Sequence, residues 1–461
     1  MTHRAGTDVT GQNVTNASTP GYSRQSPDFV ATSPLWQPGV APAGVAAQLG
    51  TGVWAAQIKR AENILITAQV RTNTTLKGRL DQFKSAYTQI ESIFVQPDEG
   101  GLDVLLTDFF ASWQALSLAP EEDANRVAVR EAAQTLVDAF HRVTGTLNEY
   151  KQLVDESIER GVAHINTLAA EIASLNNEIA RTVSIGEQPN DLLDRRDSFL
   201  DELSSLVPVQ FSERANRSGM LTVEGRVLVQ DQEVRPLETT RNWDNGGYLD
   251  VRWSDRPEIT IKPETGELGA LVYTRDNLVP AFQHELDELA RSLVTQVNAV
   301  HTRTVDGVQV GFGMDGVTGR DFFQGTDAKT IDLTDSIRLS TRAIQAAEQP
   351  VAGDGLNALA IAQLRSARTM GGETLSFDSY YQAVMAGLGA ASDSIQRSQT
   401  TQDKLLNQLD SIKQQEVGVN LDEEFISLIR YQQGYAAAGR FVSAVDDALD
   451  RLINGTGRVG L

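Results

Sequence analysis

A chain of 461 residues with 41% apolar content has room for two to four domains and a substantial core. Its 61 acidic and 40 basic residues give a formal net charge of −21, which argues against nucleic acid or an anionic membrane surface as partner, since both require basic patches. The absence of cysteine excludes disulfides and thiolate metal sites, no apolar run reaches the ~20 residues that span a bilayer, and MTHRAGTDVTGQ at the start has no apolar core for a Sec signal.

Residues 8–25 read DVTGQNVTNASTPGYSRQ. Asn13 and Asn16 lie in the end of a polar helix. Thr19-Pro20-Gly21 is a turn, because proline fixes one backbone angle and glycine permits the positive φ that follows. Tyr22 opens an extended segment. Prolines 27, 34, 38 and 42 and glycines 39, 44, 50 and 52 then forbid a helix and predict a spacer, with Leu35 and Trp36 docked on their own chain or on a neighbour.

From Val53 to about Gln96 the pattern is helical, with Leu76, Leu80, Phe83, Tyr87, Ile90 and Phe94 spaced by fours and threes. Pro97–Gly101 breaks it. Leu102–Leu118 forms a short apolar helix with Phe109, Phe110 and Trp113. Pro120 followed by Glu121, Glu122 and Asp123 suits the first turn of a helix, where acids complement the dipole. That helix carries Ile158, Val162, Ile165, Leu168, Ile172, Leu175, Ile179 and Val183 on one stripe and stops at Gly186–Pro189. PNDLLDRRDSFLDELSSLV, 189–207, is a further helix.

Between 207 and 275 the period changes to two. Leu221 and Val223, Val227 and Val229, and Leu249, Val251 and Trp253 alternate with polar residues, and Asn245-Gly246 marks a hairpin. Ile259 and Ile261 add a strand. This predicts a small antiparallel β module within a mainly α protein. Leu278–His301 is helical, 305–325 is a glycine-rich loop, and Leu356–Met370 and Ser376–Leu409 are helices interrupted at Gly371-Gly372. Ile395–Ile412 leads through Val417-Gly418 into the last helix.

That last helix, Asn420–Asn454, is about 50 Å long at 1.5 Å per residue. Leu421, Phe425, Leu428, Gln432, Tyr435, Gly439, Val442 and Leu449 follow a seven-residue repeat, with Ile429, Phe441, Val445 and Leu452 beside them. Asn420 is a cap with Glu423 as its return partner, and Asn454-Gly455 is the stop. Gln432, Gly439 and Asp446 interrupt the seam, so packing among several neighbours is expected rather than one dimer. The same stripe also describes the last core helix of an ordinary domain.

Chemistry is sparse. Gly311-x-Gly313-x-x-Gly316 matches a dinucleotide fingerprint by letter, but no helix is expected to start at its last glycine. His3, His141, His164, His284 and His301 lack metal-site spacing and read as surface or cap residues. There is no GxSxG elbow and no calcium loop. Glu121-Glu122, Glu423-Glu424 and Asp446-Asp447 read as solvated faces or caps. No catalytic residue, cofactor or metal is expected.

The two ends together carry a resemblance. VTGQNVTNASTPGYSRQ resembles the N-terminal signature of flagellar rod, hook and hook-associated proteins, and the SRQ after Tyr22 points to the hook-associated protein 1, or FlgK, family of the hook–filament junction. LDEEFISLIRYQQGYAAAGRFVSAVDDALDRLI resembles that family's closing helix, and GLDVLLTDFFASWQALSLAP, LNNEIA and PNDLLDRRD extend the likeness over most of the chain. Family members carry an apolar helix ahead of the VTGQN-like segment where only Met1–Gly6 stand here; that helix is expected to pair with the C-terminal one and to carry export information. The resemblance implies a mainly α long-helix bundle of the flagellin/hook-associated type, with discontinuous domains and a small antiparallel β module.

The expected division is 1–25 with 396–461 as a terminal helical domain, 26–52 as spacer, 53–206 with 276–395 as a second helical domain, and 207–275 as the β-rich module. The short span from Phe323 to Ile344 leaves no room for the large outer domain some members place there. The implied function is a structural adaptor, not an enzyme, in the bacterial flagellum: secreted, extracellular, exported by the flagellar type III apparatus, and serving flagellum assembly and motility. Implied partners are further copies in a ring or helical array, the hook protein, the second hook–filament junction protein and an export chaperone on the C-terminal helix, with no nucleic acid and no membrane insertion. Assembly residues are then expected at Asn13, Asn16, Pro20, Gly21 and Tyr22 and along Leu421, Phe425, Leu428, Ile429, Tyr435, Phe441, Val442, Val445, Leu449 and Leu452. The alternatives are an exported adhesin or enzyme on a flagellin-like scaffold, with its activity in the β module, and a hook, rod or filament subunit.

Overall fold

The structure is a computed structural model and describes residues 2–36, 48–49, 51–94, 101–305 and 308–455. Helix α1 (Thr2–Asn16) is followed by β1 (Gln25–Ala31), the short strands β2 (Leu35–Trp36) and β3 (Gln48–Leu49), and β4 (Val53–Arg60). β1 and β4 pair antiparallel from Gln25↔Arg60 to Ala31↔Val53, with a bulge at Asp28/Phe29, and β2 pairs with β3. Two expectations change here. The presumed spacer begins with a strand, and Val53–Arg60, expected to open a helix, is that strand's partner. The ribbon buries neither face fully, so apolar and polar residues do not alternate cleanly and the period-two signal is lost. Pro27 is tolerated because each strand of a two-stranded ribbon has an unpaired edge. The proline and glycine cluster from Pro38 to Gly44 and the Pro97–Gly100 break lie outside the described residues.

Helix α2 (Ile64–Phe94) starts where Asn63 Oδ1 accepts from Ile66 N–H at 3.1 Å, an N-cap. Then come α3 (Leu102–Leu118), α4 (Asp123–Ser184) and α5 (Asn190–Leu206). Pro120 is not the first residue of α4; it precedes the helix, and its carbonyl accepts from Arg126 Nε at 2.8 Å. The apolar stripe expected on α4 is inward, with Ile158, Ile165, Ile172 and Ile179 fully buried.

The β module forms two antiparallel sheets. One runs in sequence order through β5 (Val209–Glu213), β6 (Gly219–Val223), β7 (Arg226–Gln230) and β8 (Glu233–Val234); the other has β10 (Tyr248–Trp253) between β9 (Leu237–Asn242) and β11 (Arg256–Thr260). Gly246 and Gly247 turn the β9–β10 hairpin at φ +65° and +83°. A bulge between Leu221 and Thr222 turns both Leu228 and Val229 inward and leaves Val227 half-buried, which strict alternation did not anticipate. The module also ends sooner than expected. Gly266–Tyr273 is helix α6, which continues through a π-helical turn, Thr274–Leu278, into α7 (Val279–His301).

Two short hairpins follow, β12 (Thr304–Val305) with β13 (Val308–Gln309) and β14 (Phe323–Gln324) with β15 (Asp332–Leu333). Helix α8 (Asp335–Leu339) leads to α9 (Leu356–Gln363), α10 (Phe377–Val417) and α11 (Leu421–Gly455). α9 ends well before Met370, because the chain turns back through Gly371 and Gly372, both with positive φ, to pair Met370 with Leu375. α10 is longer than expected and packs along α2, tied by Lys77–Asp403 at 3.0 Å and by Gln402 Nε2 donating to Asn73 O at 2.9 Å.

One core lies where α3, the first half of α4, α7, α9 and the start of α10 meet, around Phe109, Phe110, Trp113, Phe322, Phe323 and Phe377. A second gathers the middle of α4, α5, α6 and the inner faces of the β module, including Leu221, Val229, Val251 and Trp253. Among the described residues no helix is long and apolar enough to cross a membrane.

Candidate assembly surface

Helix α11 begins as the sequence suggests, with Asp422 N–H donating to Asn420 Oδ1 at 3.0 Å. Glu423 is not the return partner; it accepts from Arg24 Nη1 at 2.8 Å. The stop expected at Asn454-Gly455 falls at the edge of the described residues.

α1 lies antiparallel along the first part of α11: Asn13 bonds Glu424, Gly6 faces Tyr431, and the His3 ring faces Gly434. A methyl group at Gly6 would meet the Tyr431 ring at 2.8 Å, and one at Gly434 would meet the His3 ring at 2.7 Å, so two glycines permit this approach. Phe29 closes on Tyr431 edge-on, with ring centroids 5.9 Å apart. α1 therefore takes the Glu424–Tyr431–Gly434 face, not the apolar stripe.

The stripe is left to solvent. Leu421, Phe425, Ile429, Tyr435, Phe441, Val442, Val445, Leu449 and Leu452 are all exposed, Phe441 at 70%, and Leu428 is half-buried. From Tyr435 to Asn454 every residue is exposed. Fully burying one such side chain contributes roughly 1.5–3 kcal/mol, so this rod has a strong drive to be covered.

Beneath it the expected N-terminal residues are engaged with their own chain. Asn13, 1% exposed, donates to Gln25 O at 2.8 Å and to Glu424 Oε2 at 3.0 Å, while its Oδ1 accepts from Gln25 N–H at 3.0 Å and from Tyr22 OH at 2.9 Å. Burial, then the nearby Asp194, Asp191 and Glu424, pushes the Tyr22 hydroxyl up to about 12, so it remains a donor. Asn16 and Thr19 bond each other at 3.2 Å, and Gly21 turns at φ +79°. These residues form an internal latch and shape its turn.

The latch reaches the PNDLLDRRD helix. Asp194 accepts from Ser23 N–H at 3.2 Å and pairs with Arg60 at 2.9 Å; Arg60 also pairs with Asp197 at 2.8 Å, Arg71 with Asp197 and Asp201 at 3.0 and 2.6 Å, and Lys413 with Asp201 at 3.3 Å. Burial opposes the charge of Asp197, but Arg60 and Arg71 outweigh it and hold the carboxyl below its usual range. At Asp194 burial wins and the carboxyl is raised. Sequence reading found each motif singly and missed that they bond to one another. The available signal was a run of charged residues in α5 alongside lone arginines at 24, 60 and 71.

The chemistry suspected elsewhere has structural explanations. Gly311 has no room for a Cβ against the His301 carbonyl, nor Gly313 against Arg342 O, so these glycines of the fingerprint mark close backbone packing. His301 is not a surface or cap residue. It is fully buried, with Nδ1–H donating to Arg320 O at 2.6 Å and Nε2 accepting from Gln345 N–H at 2.9 Å. His141 bonds Ile331 O, and His164 bonds Glu202. Among the described residues no three His, Asp or Glu side chains cluster to hold a metal.

A family model described as the flagellar hook-associated protein FlgK helical domain matches residues 87–323, more than half of the chain. A second, described as the flagellar basal body rod FlgEFG protein C-terminal, matches 415–455, the last residues of α10 and all of α11. The flagellar hook-associated protein 1 of Bacillus subtilis is 28% identical over 98% of this chain and 96% of its own length, and that of Salmonella typhimurium 25% identical over 98% and 97%. A solved structure of the flagellar hook junction protein FlgK from Burkholderia pseudomallei shares the fold at a TM-score of 0.67 and 17% identity, over 75% of this chain and 99% of that one.

Proposed function

Because the chain belongs to the FlgK family of flagellar hook-associated proteins, we propose that it is the structural adaptor joining hook to filament in a bacterial flagellum. The observation that carries this reading is the bare rod of α11 beyond Tyr435, stripe outward, joined to a body that has its own buried cores. Such a surface suits head-to-tail packing, in which the seam of one copy buries against the next and generates a ring or helical array.

On this reading residues 1–25 with 396–461 act as the assembling unit and the remaining helices and β module stand behind it. The hook protein and the second junction protein contact the array on either side. An export chaperone covers α11 until the protein has passed through the flagellar type III apparatus to the cell exterior. The role is mechanical and architectural rather than catalytic.

The test is Phe425→Asp and Val442→Asp. Both positions are solvent-facing, so thermal unfolding of the isolated chain stays within about 0.5 kcal/mol of the parent. Incorporation into flagella and swimming are lost. Normal swimming by both variants would refute the proposal.

A further inference from the structure

About 90 Å along α4 from its junction with α5, at 1.5 Å per residue, the helix begins beside a cavity of about 310 Å³. Arg126, in the opening turns of α4 and 2% exposed, lines it. Its Nε donates to Pro120 O at 2.8 Å, and Nη1 donates to Ile344 O at 2.8 Å and Thr341 O at 3.4 Å. Among the described residues Nη2 has no acceptor, and no carboxylate stands within ion-pair distance of this guanidinium. Two features of this placement are unfavourable. Buried cations ordinarily need a paired anion, and the N-terminal end of a helix repels positive charge.

The acids nearby do not supply the missing partner. Asp354 accepts from the N–H groups of Glu348, Gln349 and Leu356, and Asp315 is engaged by Arg320 at 2.6 Å and by Val317 N–H. Glu121 and Asp123 are exposed to solvent. Phe312, Met314 and Val351 make much of the wall apolar. Of these wall residues Val351 and Met314 are exposed, and Gly355 sits directly on the Ser117 carbonyl, which holds the end of α3 beside the start of α9.

We propose that this cavity docks a segment of a neighbouring protein that presents a carboxylate flanked by apolar side chains. The carboxylate is taken by Arg126 Nη2, and the apolar side chains lie on the Phe312–Met314–Val351 wall. A carboxylate answers the open donor of the cation lining this cavity, and the apolar wall favours an acid carried on a peptide over a small free acid, which brings charge without apolar area.

The test uses the full chain and three probes followed by ligand-observed NMR: the tripeptide Ac-Leu-Glu-Leu-NH2, its Gln analogue, and acetate. The acidic tripeptide binds about tenfold or more tighter than its Gln analogue, and acetate displaces it only at much higher concentration. Equal binding of the two peptides overturns the role of Arg126, and acetate matching the acidic peptide overturns the protein-segment reading. Arg126→Gln removes the preference for the acid. Because that change also strips donors from Pro120 and Ile344, Met314→Glu supplies an independent arm: a carboxylate carried on the wall fills the cavity from within, leaves the melting temperature unlowered and blocks the peptide. Undiminished binding to Met314→Glu overturns the proposal.

Discussion

Arg24 Nε donates to Glu424 Oε1 at 2.7 Å, across 400 positions of the chain. Glu424 is 2% exposed, and its other oxygen accepts from Asn13 at 3.0 Å. The two ends are thus joined through a charge that water does not reach. Arg24→Ala leaves that carboxylate without its cation and is expected to cost about 2–3 kcal/mol, less than a fully buried pair because the arginine remains partly solvated. Hydrogen exchange is the measurement: amides of α1 and the first turns of α11 exchange faster, while those of α3 and α4 do not change. Loss of protection spread evenly over the chain would contradict this account.

The Gly6–Tyr431 approach makes a second prediction. Gly6→Val forces a side chain into the ring and costs about 1–3 kcal/mol of local stability by overpacking. Tyr431→Ala, made in the same chain, vacates that space, so the double variant recovers part of the loss. Additive effects in this cycle would show that the two residues do not touch in solution.

His301 predicts a pH dependence. Burial first, with Arg320 also disfavouring charge, pushes its pKa from 6.5 down to about 4, against the hydrogen bond to Arg320 O. Above 6.5 the ring is neutral in folded and unfolded chains, and there is no penalty. As pH falls from 6.5 towards 4 the unfolded chain takes up a proton that the fold refuses, so stability drops by roughly 3 kcal/mol and then levels. Urea unfolding midpoints should show this slope in the parent and lose it in His301→Gln. An unchanged slope in the variant would assign the effect to another group.

Gly311→Ala is expected to destabilise by about 1–3 kcal/mol, because its new Cβ would overlap the His301 carbonyl, which belongs to a rigid helix end. Chemical denaturation reads this directly. A neutral result would mean that the 311–316 loop shifts freely, contrary to its bond from Phe312 N–H to Ala347 O at 2.9 Å.

Much of the fold was legible because long helices repeat their signal. Leu102–Leu118 and the Ile158–Ile179 stripe were read correctly, and Asn245-Gly246 located its hairpin. The misreadings have local causes. Val53–Arg60 belongs to a ribbon that excludes water from neither face, so its residues carry no clean alternation. Leu268–Val272 of α6 is an unbroken apolar and buried run, and so reads as strand or helix alike. The outward stripe of α11 was readable as periodicity. The latch was not, because Asn13, Arg60, Asp194 and Glu424 are polar residues whose burial depends on distant segments, and hydrogen-bond partners leave no period in a sequence.

Helix α4 threads both cores without a break for 62 residues. A force or twist entering at the Arg126 end therefore reaches the segments around α5 through one continuous hydrogen-bonded rod, with no loop to absorb strain on the way. The helices and sheets packed along its length act as splints against buckling, and the α10–α11 junction is itself pinned, with Val417 buried and its carbonyl accepting from Arg24 N–H at 2.8 Å.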